Sequence, residues 1–156
     1  MALTTDTLER EAKLQGLGTS RVRKEDARCI RGKGTYVDDI KLPGMLFGAM
    51  VRSPYAHARI KSINKAKALA APGVVAVLTA DDLKPVKLHW MPTLGGDVQA
   101  VLADTKVCFQ MQEVAMVIAS DRYSAADGAE RVEVDYEELP AIVDPHKSMA
   151  PGAPII

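Results

Sequence analysis

The side chains of this sequence suited to metal binding, nucleophilic attack or acid–base work are three histidines, two cysteines and a run of carboxylates. His57, His89 and His146 have no second His, Cys or Asp at ligand spacing on a shared helix. Neither H-E-x-x-H nor a paired C-x-x-C is present, so each histidine reads as structural or surface-exposed. Glu133, Asp135, Glu137 and Glu138 contain enough carboxylates for an acid and base pair. The first three, however, alternate with Val134 and Tyr136, which is the wet face of a strand. Cys29 sits among basic residues, a setting that can activate a thiol, yet no histidine follows at a nucleophile spacing; Cys108, between Val107 and Phe109, reads as core. Gly16-Leu17-Gly18 opens like a dinucleotide fingerprint, but no strand precedes it and Arg21 replaces the last glycine. Gly32-Lys33-Gly34-Thr35 lacks the spacing of a phosphate loop. Ser62-Ile63-Asn64-Lys65 matches S-x-x-K without the partner motifs of that chemistry. No residue is therefore assigned as catalytic, cofactor-binding or metal-ligating.

The elements that carry these residues follow from pattern. Glu25 to Ile30 forms a short helix stopped by Gly32, and Thr35 to Val37 a short strand. After the turn Lys41-Leu42-Pro43-Gly44, the mostly apolar run Met45 to Val51 suits a strand covered on both faces. Ala58 to Ile63 alternates, Asn64 caps a helix over Lys65 to Ala71, and Val74 to Leu78 is a buried strand. Lys84 to Ala103 contains two prolines and two glycines without a clean period and is expected as a long loop. Lys106 to Phe109 and Glu113 to Ala119 are strands. Asp121 caps a helix through Arg131 that turns Tyr123, Ala126 and Ala129 to the core, and Val132 to Glu137 is a half-buried strand. Strands this short and closely joined leave no room for repeated βαβ crossovers, so the expected class is α+β, a mixed sheet with two short helices.

At 156 residues the chain fits one ordinary domain without metal or disulfide staples. Twenty basic against twenty acidic residues leave no net field for nucleic acid or an anionic membrane. The apolar run Val114 to Ala119 is far too short to span a bilayer, and the polar start has the build of neither a secretory signal nor a transit peptide. With only two cysteines, a cytoplasmic location and unpaired thiols are expected. We divide the chain into a weakly ordered lead-in over 1–20, a folded domain over 21–145, and a proline-rich 146–156 that reads as a linker to further domains. The lead-in and the Lys84 to Ala103 loop are the expected docking surfaces, because neither has enough of its own apolar contact to stabilise itself.

Several runs together resemble the opening of the molybdenum hydroxylases, the xanthine dehydrogenase and aldehyde oxidase family. They include Arg23-Lys24-Glu25-Asp26-Ala27, Gly32-Lys33-Gly34-Thr35-Tyr36-Val37-Asp38-Asp39, Leu42-Pro43-Gly44-Met45-Leu46 and Val51-Arg52-Ser53-Pro54-Tyr55-Ala56-His57-Ala58-Arg59-Ile60. Pro72-Gly73-Val74-Val75-Ala76-Val77-Leu78-Thr79 and Val132-Glu133-Val134-Asp135-Tyr136-Glu137-Glu138-Leu139-Pro140 continue it, so that residues 20–145 are covered in order. Leu14-Gln15-Gly16-Leu17-Gly18 and Leu88-His89-Trp90-Met91-Pro92-Thr93-Leu94 are most similar to the large subunits of the aerobic carbon monoxide dehydrogenase branch. The resemblance implies an α/β-hammerhead fold within a subunit several times longer. That subunit would hold a molybdenum cytosine dinucleotide and a copper, with none of the cofactor in this piece. It also implies an iron-sulfur small subunit and a flavin medium subunit, paired as a dimer of heterotrimers. No position here matches the family's copper-binding cysteine or base glutamate. Two departures are Asn64, where the family often has Asp, and Met111, where many relatives have Gly before Gln. An aldehyde or purine hydroxylase and a non-catalytic interaction module are the alternative readings.

Overall fold

The computed structural model describes the backbone of residues 22–86, 89–92 and 98–156; the expected lead-in and the Gly16-Leu17-Gly18 turn lie outside the described residues. The chain divides into two compact units, Met1–Pro43 and Gly44–Ile156. In the first, α1 (Asp26–Cys29) is a single turn whose Asp26 carboxylate accepts from Arg23 Nε at 3.1 Å. The strand expected at Thr35 to Val37 is absent. Val37–Asp39 is instead a 3₁₀ turn in which Asp39 Oδ2 accepts the Tyr36 N–H at 3.0 Å. Short acidic side chains compete for backbone donors in this way and draw the chain out of an extended path.

The second unit contains β1 (Phe47–Arg52), β2 (Ala58–Asn64), α2 (Ala66–Leu69), β3 (Val74–Thr79) and α3 (Ala80–Leu83). β4 (His89–Pro92), β5 (Val98–Ala100), β6 (Lys106–Val107), β7 (Glu113–Ala119), α4 (Arg122–Glu130) and β8 (Glu133–Glu138) follow, with a 3₁₀ turn at Pro145–Met149. The strands form two three-stranded sheets, ordered β1-β7-β3 and β6-β2-β8, and a hairpin β4-β5, and every recorded pairing is antiparallel. The α+β class holds.

β7 is the strand covered on both faces, because it is the centre of its sheet and lies between two apolar clusters. Ala115 and Val117 join Ala68, Val77 and Val132 on one side, while Val114 joins Ala58, Ala103 and Val107 on the other. Ile63 and Val134 pack against both clusters and make them one core. β1 and β3 are the edges of that sheet; β1 alternates half-buried and exposed residues, so the two-sided burial expected for Met45 to Val51 does not occur, whereas β3 is exposed only at Val75, by 58%, and is otherwise half-buried or buried. Uninterrupted apolar residues permit two-sided burial; position in the sheet decides it.

The region expected as a structureless loop is also different. Directly after α3 it opens with a 3₁₀ turn at Lys84–Val86, continues in the β4-β5 hairpin, and ends with Leu102 and Ala103 buried in the core. The side chains of Trp90, Met91 and Leu94, on which its docking role rested, lie outside the described residues. α3 has a capping box that the sequence displays as Thr79-Ala80-Asp81-Asp82: Asp82 Oδ2 accepts Thr79 N and Thr79 Oγ1, each at 2.8 Å. Lys65 Nζ reaches the same oxygen at 2.8 Å, and this hydrogen bond, followed by those from Thr79, holds the Asp82 carboxyl down at about 2 from 3.8. A depressed folded-state value means that the contribution is complete above about pH 4 and is lost as pH falls toward 2. We expect Asp82→Asn to lower the urea midpoint at pH 7 and to flatten the loss between pH 4 and 2.5. An unchanged pH slope contradicts the assignment.

Candidate functional site

β1 ends at Arg52, and at Ser53 the chain bonds to the segment before β7. The Ser53 N–H donates to Gln112 O and the Met111 N–H to Ser53 O, both at 2.9 Å, while buried Gln112 accepts the Cys108 N–H through Oε1 at 2.6 Å. This closes the turn so tightly that Met111 adopts φ 68°. A left-handed backbone at a residue with a Cβ costs about 1–2 kcal/mol. Arg52 offsets part of this cost by donating through Nη1 to Met111 O at 2.9 Å while pairing with Glu113 at 2.7 Å. The Met111 side chain is itself 55% exposed. Met111→Gly is therefore expected to raise stability by roughly 0.5–1 kcal/mol, the relieved strain less the entropy gained by the unfolded chain. A lower melting temperature in the variant contradicts that expectation.

Four residues after Ser53 comes His57, more constrained than His146. It precedes β2, is 5% exposed, and grips the exit of β8 twice. Its carbonyl accepts the Leu139 N–H at 2.9 Å, and its Nδ1 lies 2.7 Å from Pro140 O. A carbonyl oxygen only accepts, so Nδ1 carries the proton and Nε2 of the neutral ring is an acceptor. That Nε2 is buried without a hydrogen-bond partner. His57 lines a cleft of about 620 Å³ with Arg59, Ile60, Asp104, Thr105, Lys106, Leu139 and Ile155. Arg59 and Lys106 are directly opposite one another across the β2–β6 pairing, which puts two cations side by side on one face. Tyr136, tilted against Tyr55 with ring centroids 5.3 Å apart, has its phenol pushed above the usual range by burial.

The other chemically capable residues stay apart. Among the described residues no three His, Cys, Asp or Glu side chains converge where they could hold a metal ion. His146 lies in the Pro145–Met149 turn, with its N–H on Asp144. Glu133, Asp135 and Glu137 are on the wet face of β8, as their alternation indicates, with Glu133 tied to Lys67 and Asn64, and Glu138 is exposed at the end of the strand. Ser62 and Lys65 do not meet: Ser62 faces Asp135 in the sheet, and Lys65 pairs with Asp82. Cys29 and Cys108 are unpaired and both half-buried. The core placement expected of Cys108 fails because β6 stops at Val107 and the chain turns outward, leaving Phe109 exposed. The cleft around His57 escaped sequence reasoning. The only available signal was a histidine flanked by Ala56 and Ala58 at the start of an alternating strand.

A family model described as the aldehyde oxidase and xanthine dehydrogenase a/b hammerhead domain matches residues 31–140. The carbon monoxide dehydrogenase large chain of Afipia carboxidovorans is 68% identical over 148 residues, covering 95% of this chain and 18% of the relative. That of Hydrogenophaga pseudoflava is 63% identical over 151 residues, covering 97% of this chain and 19% of the relative. The crystal structure of a Cu,Mo-CO dehydrogenase in its carbon monoxide reduced state superposes with a TM-score of 0.80 at 69% identity, over 92% of this chain and 18% of that one. The chain thus spans under a fifth of the length of the relatives that it matches.

Proposed function

Because the chain belongs to the aldehyde oxidase and xanthine dehydrogenase a/b hammerhead family, we propose that it is the amino-terminal part of the large subunit of an aerobic carbon monoxide dehydrogenase, and that its role there is structural and subunit-docking. The observation that carries this reading is the identity of 63–68% with two carbon monoxide dehydrogenase large chains across nearly the whole of this chain. In the intact enzyme CO and water become CO2, two protons and two electrons, and the electrons pass through iron-sulfur clusters to flavin. The longer subunit supplies a molybdenum cytosine dinucleotide and copper; an iron-sulfur small subunit and a flavin medium subunit complete a dimer of heterotrimers in the cytoplasm. No helix among the described residues is long and apolar enough to cross a membrane.

The donor set described here does not fit such a cluster, since no metal-ligating group of three converges on it. The contribution of this chain lies in its frame: two sheets locked through one core, and a turn and a cleft presented at the ends of their strands. The test is the intact enzyme. With the complete reading frame and its partner subunits co-expressed, we expect CO-dependent reduction of an electron-accepting dye and none with xanthine or an aldehyde. Turnover of a purine or an aldehyde without CO oxidation moves the assignment to another branch of the family. A reading frame encoding no further domains abandons the enzyme reading for that of an interaction module.

A further inference from the structure

We infer that the cleft around His57 seats an acidic side chain supplied by a later part of the same polypeptide, an inference that rests on the longer subunit proposed above. The cleft of about 620 Å³ is bordered by His57, Arg59 and Lys106, and its wall includes Ile155, so that chain running on from there starts at its rim. The matched relatives are over five times longer than the part covered here, so ample protein in the same chain is available to fill it. Its electrostatics select the occupant. Arg59 and Lys106 are cross-strand neighbours, an arrangement that is unfavourable without a counter-charge. Neither has an ion-pair partner among the described residues. Asp104, the acid in the wall, is already held by Lys84 at 3.1 Å, and Glu137, opposite Arg59 on the β8 side, makes no ion pair with it. His57, whose Nδ1 is committed to Pro140 O, lines the same cleft. A single carboxylate seated in the cleft neutralises both cations.

Zero-length carbodiimide coupling of the intact, assembled enzyme, followed by peptide mass mapping, tests this directly. The reagent joins a lysine amine to a contacting carboxylate as an amide with loss of water, so Lys106 reports its own neighbour. The expected product joins Lys106 to an Asp or Glu beyond residue 156 of the same chain. Lys106→Arg, which keeps the charge, is expected to abolish that product and leave the other cross-links unchanged. A Lys106 that stays uncoupled overturns the inference, as does one joined to Asp104, Glu137, an acid within residues 1–21 or a partner subunit. If CO is oxidised by an enzyme in which Lys106 stays uncoupled, only this inference fails. If CO is not oxidised, the functional assignment fails first.

Discussion

Replacing Gly128 with alanine is expected to destabilise the protein by up to about 2 kcal/mol, although alanine is favoured over glycine inside a helix by about 1 kcal/mol. Gly128 is buried in α4 where the helix crosses its sheet. A Cβ there would lie 2.7 Å from Val74 Cγ2 and 2.8 Å from Val117 Cγ1, closer than real Cβ atoms come. Neither valine can yield, because β-branched side chains have one comfortable rotamer and Val117 lies fully buried in the central strand. The methyl must therefore push α4 off the sheet, and overpacking of that kind costs roughly 1–3 kcal/mol, more than the helix gains. Gly128→Val should cost more still. Urea denaturation of both variants measures the sign, and a stabilised Gly128→Ala protein refutes the close contact.

His57→Ala is expected to cost roughly 3 kcal/mol, combining the cavity left by a buried ring with the Pro140 carbonyl left without its donor. His57→Asn should cost distinctly less, because the asparagine amide nitrogen falls where Nδ1 lies and can donate to Pro140 O, which His57 now meets at 2.7 Å. Equal losses in the two variants, followed by chemical denaturation, mean that volume alone matters and that the hydrogen bond to the β8 exit contributes nothing.

These two residues also show how far the sequence could be read. Alternation at Val132, Val134 and Tyr136, the cap at Asp121 and the run Glu113 to Ala119 are all realised, because each is fixed by local physics. Asp121 Oδ1 does accept the Tyr123 and Ser124 N–H groups, each at 2.9 Å. The buried face of the helix it starts was misplaced. Tyr123 is 85% exposed and Ala126 lies outside, while Ala125, Gly128 and Ala129 face the sheet. A tyrosine placed on the buried face by three-residue spacing is excluded by the geometry, since a helix this close to a sheet admits only small residues on the contact side. Local pattern does not reveal how near two elements approach. The His57 cleft was hidden for the same reason: Arg59 and Lys106 are 47 positions apart and become neighbours only through the β2–β6 register. Met111 is the reverse case, where the resemblance marked a position usually held by glycine and the backbone there does take a positive φ.

The central claim is that this chain is a scaffold within an enzyme whose metal chemistry is held by other domains of the same subunit. Metal analysis after chelator washing and limited proteolysis of the intact large subunit tests it most directly. The account predicts molybdenum and copper in equal amounts in the intact subunit, both remaining with the fragment that follows residue 156 and neither with residues 1–156. Stoichiometric molybdenum or copper in the fragment covering residues 1–156 would contradict it, as would an intact subunit that holds neither metal.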